Sequence, residues 1–345
     1  MDFSIFFFSS YQKKHTNKYE MLIEAVKFAD QNNFTAIWTP ERHFHEFGGL
    51  YPNPSVVSAG LAMVSDRIKI RSGSIVSPLH SPVRIAEDWS VVDNLSNGRV
   101  EIAFASGWHA DDFVFFPDRY NSRTEIMYQQ IEQVRALWKG QTLKLFNGSG
   151  KEIDVKTYPR PLQSNLKVWI ASNGNEETIR TAAKIGANLL TNFIGQDLSE
   201  LKQKIQLYRK TLEENGHSPI NHKVSVMMHT FIGNDLDSVK SIVREPFTNY
   251  LSTSLELIKK LYENNSKLAS IDLNNPKMLK RVSEIAFSRY WQTSALLGTV
   301  ETCVPIVKQL KEIGVDEIAC LIDFGIDDAT VLEGLTKLVQ LKNLF

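Results

Sequence analysis

The sequence predicts a (β/α)8 TIM barrel with insertions, and three observations support this fold class. Segments typical of β-strands alternate with segments of helical periodicity along the chain. Eight such strand segments are present, which is the number that closes a β/α barrel. The chain has 345 residues, a length at which β/α barrels still form one domain. An open doubly wound sheet shows the same alternation, so the pattern alone does not establish closure.

The predicted strands are short and rich in β-branched or aromatic residues. They lie at 3–9, 34–38, 68–76, 100–105, 168–171, 188–193, 224–232 and 318–322. Pro40 ends the second strand, because proline cannot donate to a sheet ladder. Gly73 lies inside the third strand, which indicates a bulge or a close approach of another group to the backbone.

Helical periodicity and capping residues predict helices between these strands. They cover 18–31, 56–64, 82–95, 122–138, 176–185, 198–214, 237–262, 276–291, 300–313 and 328–342. We predict a short hairpin insertion within 141–158 and a polar loop at 264–275. The sequence shows no internal repeat, linker or low-complexity segment, so we expect a single domain over 1–345.

The charge balance argues against two classes of partner. Lys plus Arg and Asp plus Glu both number 39, so nothing electrostatic favours nucleic acid or an anionic membrane. Cys303 and Cys320 are isolated, which suits a reducing cytoplasm. The apolar run 5–8 is too short for a signal peptide or a membrane span and is interpreted as part of the first strand. We therefore expect a cytoplasmic location.

The loop after the second strand concentrates chemistry. Glu41, Arg42 and His43 follow the strand directly, and Phe44 and Phe47 lie among them. In a barrel the active site lies at the C-terminal ends of the strands, and titratable groups among aromatic rings are typical of a catalytic cleft. The alternative is a solvated loop whose charges pair with one another.

The fifth predicted strand runs into Ser172-Asn173-Gly174-Asn175, directly before a helix. Backbone N–H groups at a helix N-terminus, with the hydroxyls of Ser172 and Thr178, form an anion site without a basic residue. A phosphate suits this description. The alternative is an ordinary βα turn with a good N-cap.

Metal and nucleotide motifs are not found. His43 and His45 lie near Glu41 and Glu46, but no third histidine has ligand spacing and the cysteines are isolated, so we expect no metal site. The sequence contains no G-x-S-x-G elbow, P-loop or G-x-G-x-x-G turn. Serine hydrolase, P-loop and Rossmann interpretations therefore lack their motifs.

Several stretches, in consistent order over nearly the whole chain, resemble the bacterial luciferase-like flavin monooxygenases. They are Glu41-Arg42-His43-Phe44, Glu46-Phe47-Gly48, Asn53-Pro54, 74–78, 80–84, 86–88, Asn97-Gly98-Arg99, 107–113, 121–123 and Gly298-Thr299. The Ala105-Ser106-Gly107-Trp108-His109 stretch is similar to the branch found in nonribosomal-peptide and polyketide biosynthesis.

The resemblance implies a (β/α)8 barrel that takes reduced FMN (FMNH2) from a separate flavin reductase. With O2 the flavin forms a C4a-hydroperoxyflavin and puts one oxygen atom on a small-molecule or carrier-protein-bound substrate. Relatives often pair, so a homodimer is possible. The implied flavin contacts are the phosphate at Ser172, Asn173, Gly174, Asn175 and Thr178, the isoalloxazine beside Gly73-Ser74, where the family often has a non-proline cis bond, and its face against Ala105 and Ser106.

Two positions depart from the luciferase pattern. Arg42 replaces the first of two adjacent histidines, and Ser106 replaces an arginine that binds the flavin phosphate. Arginine cannot act as a base, although it can hold an anionic substrate or a peroxide oxygen. We therefore expect oxygenation of a substrate other than an aldehyde, without light emission.

The remaining roles concern protons and water. His43 or His109 is our candidate for proton transfer at the peroxide, and the alternative for each is a neutral imidazole bonded to a carbonyl. Phe44 and Trp108 are expected to line a dry pocket, and 264–291 to form a lid with Arg289 or Tyr290 facing inward. Two other functions stay open: a deazaflavin-dependent dehydrogenase of the same superfamily, and a non-catalytic flavoprotein subunit.

Overall fold

Eight parallel strands close into a barrel in the computed structural model, which describes residues 1–8, 17–262 and 275–345. In chain order the strands are β1 Asp2–Phe6, β2 Ala36–Thr39, β3 Lys69–Val76, β4 Val100–Ala105, β5 Leu143–Phe146, β6 Glu152–Val155, β7 Val168–Ala171, β8 Asn188–Asn192, β9 Val224–Ile232, β10 Leu296–Gly298 and β11 Glu317–Leu321. The barrel order is β1-β2-β3-β4-β7-β8-β9-β11, and β11 pairs with β1. The predicted (β/α)8 barrel is confirmed, and the open sheet is wrong.

Helices follow the strands and cover the outside of the barrel. They are α1 Glu20–Gln31, α2 Pro54–Ala62, α3 Pro82–Leu95, α4 Arg123–Trp138, α5 Glu176–Lys184, α6 Leu198–Glu214, α7 Leu236–Tyr262, α8 Pro276–Arg289, α9 Val300–Glu312 and α10 Asp328–Lys342. Side-chain caps start several of them; Asn53, for example, accepts from the first N–H groups of α2. Within the described ranges, no helix is both long enough and apolar enough to cross a membrane.

Two insertions interrupt the alternation of barrel strands and helices. β5 and β6 form the predicted antiparallel hairpin between α4 and β7. After α8 a single π-helical turn, Tyr290–Ser294, leads into β10, which pairs with the C-terminal half of β9. The predicted loop at 264–275 lies, apart from Asn275, outside the described residues.

A buried charge network crosses the barrel near the N-terminal ends of the strands. Nε of Arg71 is 2.7 Å from Glu101, and its Nη1 is 2.8 Å from Glu317. The guanidinium lies 4.6 Å from the ring centroids of both Trp38 and Trp169. Burial alone lowers the pKa of an arginine, but the two carboxylates raise that of Arg71. The network fills this end of the barrel and leaves the opposite mouth for a site.

Candidate active site at the barrel mouth

A buried carboxylate organises the polar side chains at the mouth. Glu41, two residues beyond β2, accepts hydrogen bonds from Nε2 of His43 at 3.0 Å and Nε2 of His80 at 2.6 Å. The backbone N–H of Val76, at the end of β3, donates to its other oxygen at 2.6 Å. Burial raises the pKa of a carboxylate, but these hydrogen bonds outweigh burial and lower that of Glu41. Glu41 is thus a charged anchor that fixes both imidazoles with a proton on Nε2.

A second pairing of acid and imidazole follows β4. Nδ1 of His109 lies 3.4 Å from Oδ1 of Asp112. Burial raises the pKa of Asp112, although His109, His43 and Arg42 nearby act in the opposite direction. Nε2 of His109 is buried and has no hydrogen-bond partner among the described residues. That nitrogen is available to a bound molecule.

Arg42 lies among three aromatic rings. Its guanidinium carbon is 4.2 Å from the ring centroid of Phe8, 5.3 Å from that of Trp108 and 5.9 Å from that of Phe47. Within the part of the chain that the structure describes, the guanidinium has no hydrogen-bond or ion-pair partner. Burial lowers its pKa, and Tyr250 and Asp112 nearby only partly oppose this.

Aromatic rings also surround the imidazole of His229, on β9. They are Phe247, Tyr250, Tyr290 and Phe324, with centroids between 4.4 and 5.7 Å from the imidazole. Burial lowers the pKa of His229 to about 3, so its ring is neutral. Tyr250 also contacts Phe8 and Phe47, so one aromatic layer joins Arg42 to His229. Tyr290, one of the two residues suggested for a lid, contacts His229, and 264–274 of the suggested lid lie outside the described residues.

The strand positions assigned to the isoalloxazine are closely packed. The Gly73–Ser74 peptide is cis, and the register between β3 and β4 shifts at this point. A Cβ on Gly73 would lie 2.9 Å from Cε2 of Phe6, so the predicted close approach is confirmed and is made by this chain's own ring. Ala105 and Ser106 are half-buried at the end of β4.

The neighbourhood of Ser106 contains a cation from another element. Nε of Arg123, on α4, donates to the carbonyl oxygen of Gly107 at 3.0 Å. Gly107 has φ +82°, and a Cβ there would lie 2.7 Å from Val76, so glycine is required. Arg123 thus places a charge beside the residue that departs from the luciferase pattern.

The loop between β7 and α5, named the cradle below, contains the residues that the sequence suggests for a phosphate, and some of their donors already have partners. Both the N–H and the hydroxyl of Thr178 donate to Oδ1 of Asn175, so neither is free in this structure. Asn173 accepts from Asn192 on β8 at 2.7 Å. Glu176 and Glu177 occupy the first turn of α5, so its N-terminus alone is a weak anion site.

A lysine supplies the positive charge at this loop. Gly174 has φ +91°, and a Cβ there would lie 2.6 Å from Nζ of Lys204 and 2.8 Å from Oε1 of Gln196. Lys204 donates to Gln196 at 2.9 Å, and Nη2 of Arg289 donates to the Gln196 carbonyl oxygen at 2.8 Å. The cradle therefore combines Ser172 and the glycine loop with two cations from α6 and α8.

Phe44 and Trp108, the two predicted pocket residues, differ in their exposure. Phe44 is 64% exposed, has φ +54° and contacts His43 and Phe115, so it lies at the outer edge of the mouth. Trp108 is half-buried against Arg42 and His109. Over the described residues, no group of three or more His, Cys, Asp or Glu side chains is placed to hold a metal ion.

Sequence reasoning assigned no role to four residues that the structure brings to the mouth: His80, Asp112, Lys204 and His229. His80 lies in one of the resemblance motifs, and Asp112 is three residues after His109, so both carried a signal. Lys204 lies on an ordinary amphipathic helix and His229 within an apolar strand. Neither position has a local sequence signal.

Comparison with known proteins identifies the family of the chain. The family model of luciferase-like monooxygenases matches residues 1–317. The alkanal monooxygenase alpha chain of Photorhabdus laumondii is 26% identical over 323 residues, which cover 90% of this chain and 87% of that protein. The oxygenase component of the flavin-dependent trigonelline monooxygenase of Acinetobacter baylyi is 22% identical over 344 residues, with 95% and 90% covered.

A solved structure shares the fold at low identity. It is the oxygenating constituent of 3,6-diketocamphane monooxygenase from Pseudomonas putida, a type II Baeyer–Villiger monooxygenase in complex with FMN. The TM-score is 0.75 at 16% identity, covering 99% of this chain and 97% of that chain. The family match extends from β1 to the first residue of β11. The chain therefore belongs to the luciferase-like monooxygenase family and is a flavin-dependent monooxygenase.

Proposed function

We propose that this monooxygenase takes reduced FMN from a separate flavin reductase and places one oxygen atom from O2 on an organic substrate. Bound reduced FMN supplies the chemistry, since with O2 it gives a C4a-hydroperoxide that transfers an oxygen atom. The substrate that we propose is a small molecule of natural-product biosynthesis, free or carrier-bound. The chain's own residues bind the flavin, exclude water and hold the protons.

The observation that carries this proposal is the placement of two polar clusters across the mouth. Glu41 and its histidines follow β2 and β3, whereas Ser172 and Lys204 lie beside the ends of β7 and β8. β2 and β8 are opposite each other, with three strands between them on either side. FMN is a flat ring system with its phosphate at the end of a ribityl chain, so its two ends need separated sites.

The donors at the β7 loop fit a phosphate. Nζ of Lys204 lies where a side chain on Gly174 would be, and Arg289 reaches the same loop region through Gln196. Charge-assisted hydrogen bonds from ammonium and guanidinium groups are the strong contacts to phosphate oxygens. The hydroxyl of Ser172 accepts from the Gly174 N–H at 3.2 Å, which leaves its own proton for an anion.

The other cluster fits proton management at a peroxide. Glu41 fixes the Nε2 proton of His43, so Nδ1 of that ring is the nitrogen that exchanges protons. The rings of Phe8, Phe47 and Trp108 around Arg42 exclude water, which otherwise promotes loss of hydrogen peroxide. We propose that His43 and His109 act at the transferred oxygen.

Two of the similar proteins support the cofactor and the partner. The trigonelline monooxygenase relative is named as an oxygenase component, which supports a separate reductase as the flavin source. The 3,6-diketocamphane monooxygenase was solved with FMN, which supports FMN as the flavin.

The test is an anaerobic titration of the protein with dithionite-reduced FMN, followed by rapid mixing with O2. We expect saturable binding and then a transient absorbance of an oxygenated flavin before oxidised FMN appears. A reduced deazaflavin titrated in parallel is the control and is expected to bind more weakly. Absence of FMNH2 binding, or oxidation at the rate of free FMNH2, would contradict the proposal.

A further inference from the structure

Arg42 is a charged side chain without a counterion in the described part of the chain. Three aromatic rings contact its guanidinium, the nearest at 4.2 Å, but rings supply no acceptor for its five N–H donors. A half-buried guanidinium that lacks an acceptor is costly, and an anion brought by a ligand removes that cost.

The loop after β2 fixes the position of Arg42 through its backbone hydrogen bonds and its packing. Its backbone N–H donates to the carbonyl oxygen of Tyr51 at 2.9 Å, and the N–H of Tyr51 donates back to Gly48 at 3.0 Å. Gly48 has φ +80°, and a Cβ there would lie 2.5 Å from Cγ of Arg42. Glycine at 48 therefore makes room for the arginine stem, so the guanidinium is fixed by the loop as well as by its ring contacts.

The acids near Arg42 are committed to other partners. Glu41 accepts from His43, His80 and Val76. Asp112 lies against His109, and its charge only partly opposes the lowering of the pKa of Arg42 by burial. Neither carboxylate forms an ion pair with Arg42, so the mouth keeps a positive charge beside the histidines.

The flavin phosphate is not the expected partner of this charge. The phosphate cradle follows β7, with Lys204 and Arg289, while Arg42 follows β2, which is separated from β7 by two strands on one side of the barrel and four on the other. An anion at Arg42 lies instead beside His43, where oxygen transfer is proposed. The three rings form a surface for a flat apolar body next to that anion.

We propose that Arg42 binds the carboxylate of the substrate, so that the substrate class is an organic acid with an aromatic or otherwise flat body. This inference rests on the proposed monooxygenase function. A guanidinium pairs with a carboxylate through two parallel N–H donors, which fixes the acid end and turns the adjoining carbon skeleton toward the oxygen donor. Arg42 then sets specificity at the position where the luciferase pattern has a histidine.

The test uses the full-length protein and two matched pairs of probes, benzoate with benzamide and indole-3-acetate with its amide. Calorimetric titrations are made with and without reduced FMN on wild type, Arg42→Met and Arg42→Lys. Arg84→Met is the control, because Arg84 is exposed on α3 and pairs with Glu87 and Asp88. We expect wild type to prefer at least one acid over its amide by about tenfold or more, consistent with one charge-assisted pair.

Arg42→Met is expected to abolish that preference, Arg42→Lys to retain part of it and Arg84→Met to leave it unchanged. Equal affinities for acid and amide in wild type, persistence of the preference in Arg42→Met, or no binding of any probe would overturn the proposal. Unchanged acid binding with faster decay of the oxygenated flavin in Arg42→Met would also overturn it, since Arg42 would then serve the peroxide. Parallel FMNH2 titration separates this failure from failure of the monooxygenase proposal.

Discussion

At the scale of single residues, the barrel mouth depends on one buried carboxylate. Glu41 has three donors from two segments of chain, so it fixes the end of β3 as well as two imidazoles. A buried carboxylate is stable only when such donors compensate for lost hydration. Its charge therefore contributes both to stability and to the orientation of the histidines.

Glu41→Gln keeps the size of the side chain and removes its charge. We expect the free energy of unfolding at pH 7 to fall by about 1–3 kcal/mol, the usual cost of hydrogen bonds lost from a buried charged group. The folded pKa of Glu41 is lowered, so its contribution is present above the unfolded pKa of about 4.3 and is lost as pH falls through the lower folded value. Denaturant unfolding from pH 7 to pH 3 measures this.

The difference between wild type and Glu41→Gln is thus expected to shrink over the acid end of that range. Glu46→Gln, on the exposed part of the same loop, is the control and is expected to behave like wild type. A difference of constant size from pH 7 to pH 3 would show that the pKa of Glu41 is the same in the folded and unfolded states, which contradicts the lowered folded pKa.

His43→Ala removes the imidazole that we propose for proton transfer at the transferred oxygen. We expect FMNH2 to bind within about twofold of wild type, because the phosphate and ring contacts lie elsewhere. The yield of product per FMNH2 should fall at least about tenfold and hydrogen peroxide should rise, as expected when a general acid–base group is lost. Stopped-flow spectra and peroxide assays measure both, and His45→Ala, whose ring is exposed, is the matched control. Unchanged decay and yield would refute the role.

Residues adjacent in sequence were the predictable part of this site. Glu41, Arg42 and His43 follow one strand, so their proximity is a consequence of the chain itself. His80 and Asp112 follow two other strand ends, and the pairing of β2 with β3 and of β3 with β4 brings them near His43. Thr178 differs from these residues. Its position in the motif suggested that it donates to an anion, but both of its donors bind Asn175, the N-cap of α5.

At the scale of elements, the strands and helices were predictable where hydrophobic period and caps agree. β10 was not, because three residues carry no measurable alternation, and it forms by pairing with the extended end of β9. The end of α8 differed as well, since a π-helical turn follows Arg289 and directs Tyr290 toward His229. Both features arise from tertiary contacts of the mouth, which local propensity does not encode.

The contact between the β7–α5 loop and α6 supports a prediction about the phosphate. Lys204→Met removes the ammonium next to Gly174 and keeps the apolar stem. We expect reduced FMN to bind about tenfold more weakly, equivalent to about 1.4 kcal/mol. Reduced riboflavin lacks the phosphate, so its affinity is expected to stay unchanged. Fluorescence-monitored anaerobic titration measures both ligands.

Lys202→Met is the matched control, since Lys202 lies on the exposed side of the same helix. It is expected to bind both flavins like wild type. Equal weakening for reduced FMN and riboflavin in Lys204→Met would place Lys204 outside the phosphate site.

At the scale of the whole molecule, closure of the barrel and its charged interior were beyond sequence reasoning. The alternation of elements is the same in an open sheet, and only the pairing of β11 with β1 distinguishes the two. Arg71, Glu101 and Glu317 lie on three different strands, far apart in sequence. They form one network only because closure turns all three side chains toward the barrel axis.

Arg71→Met tests how far the barrel depends on this network. It leaves two carboxylates buried without their cation, so we expect the free energy of unfolding at pH 7 to fall by about 3–5 kcal/mol. Without Arg71, burial raises the pKa of Glu101 above its unfolded value, so the folded variant binds more protons than the unfolded chain. Its stability should therefore rise as pH falls from 7 toward 5, and denaturant unfolding across this range measures the change.

Adding Glu101→Gln and Glu317→Gln to Arg71→Met should recover most of the loss and remove the pH dependence. A loss that stays the same at both pH values would mean that the defect is packing around Trp38 and Trp169 rather than unpaired charge.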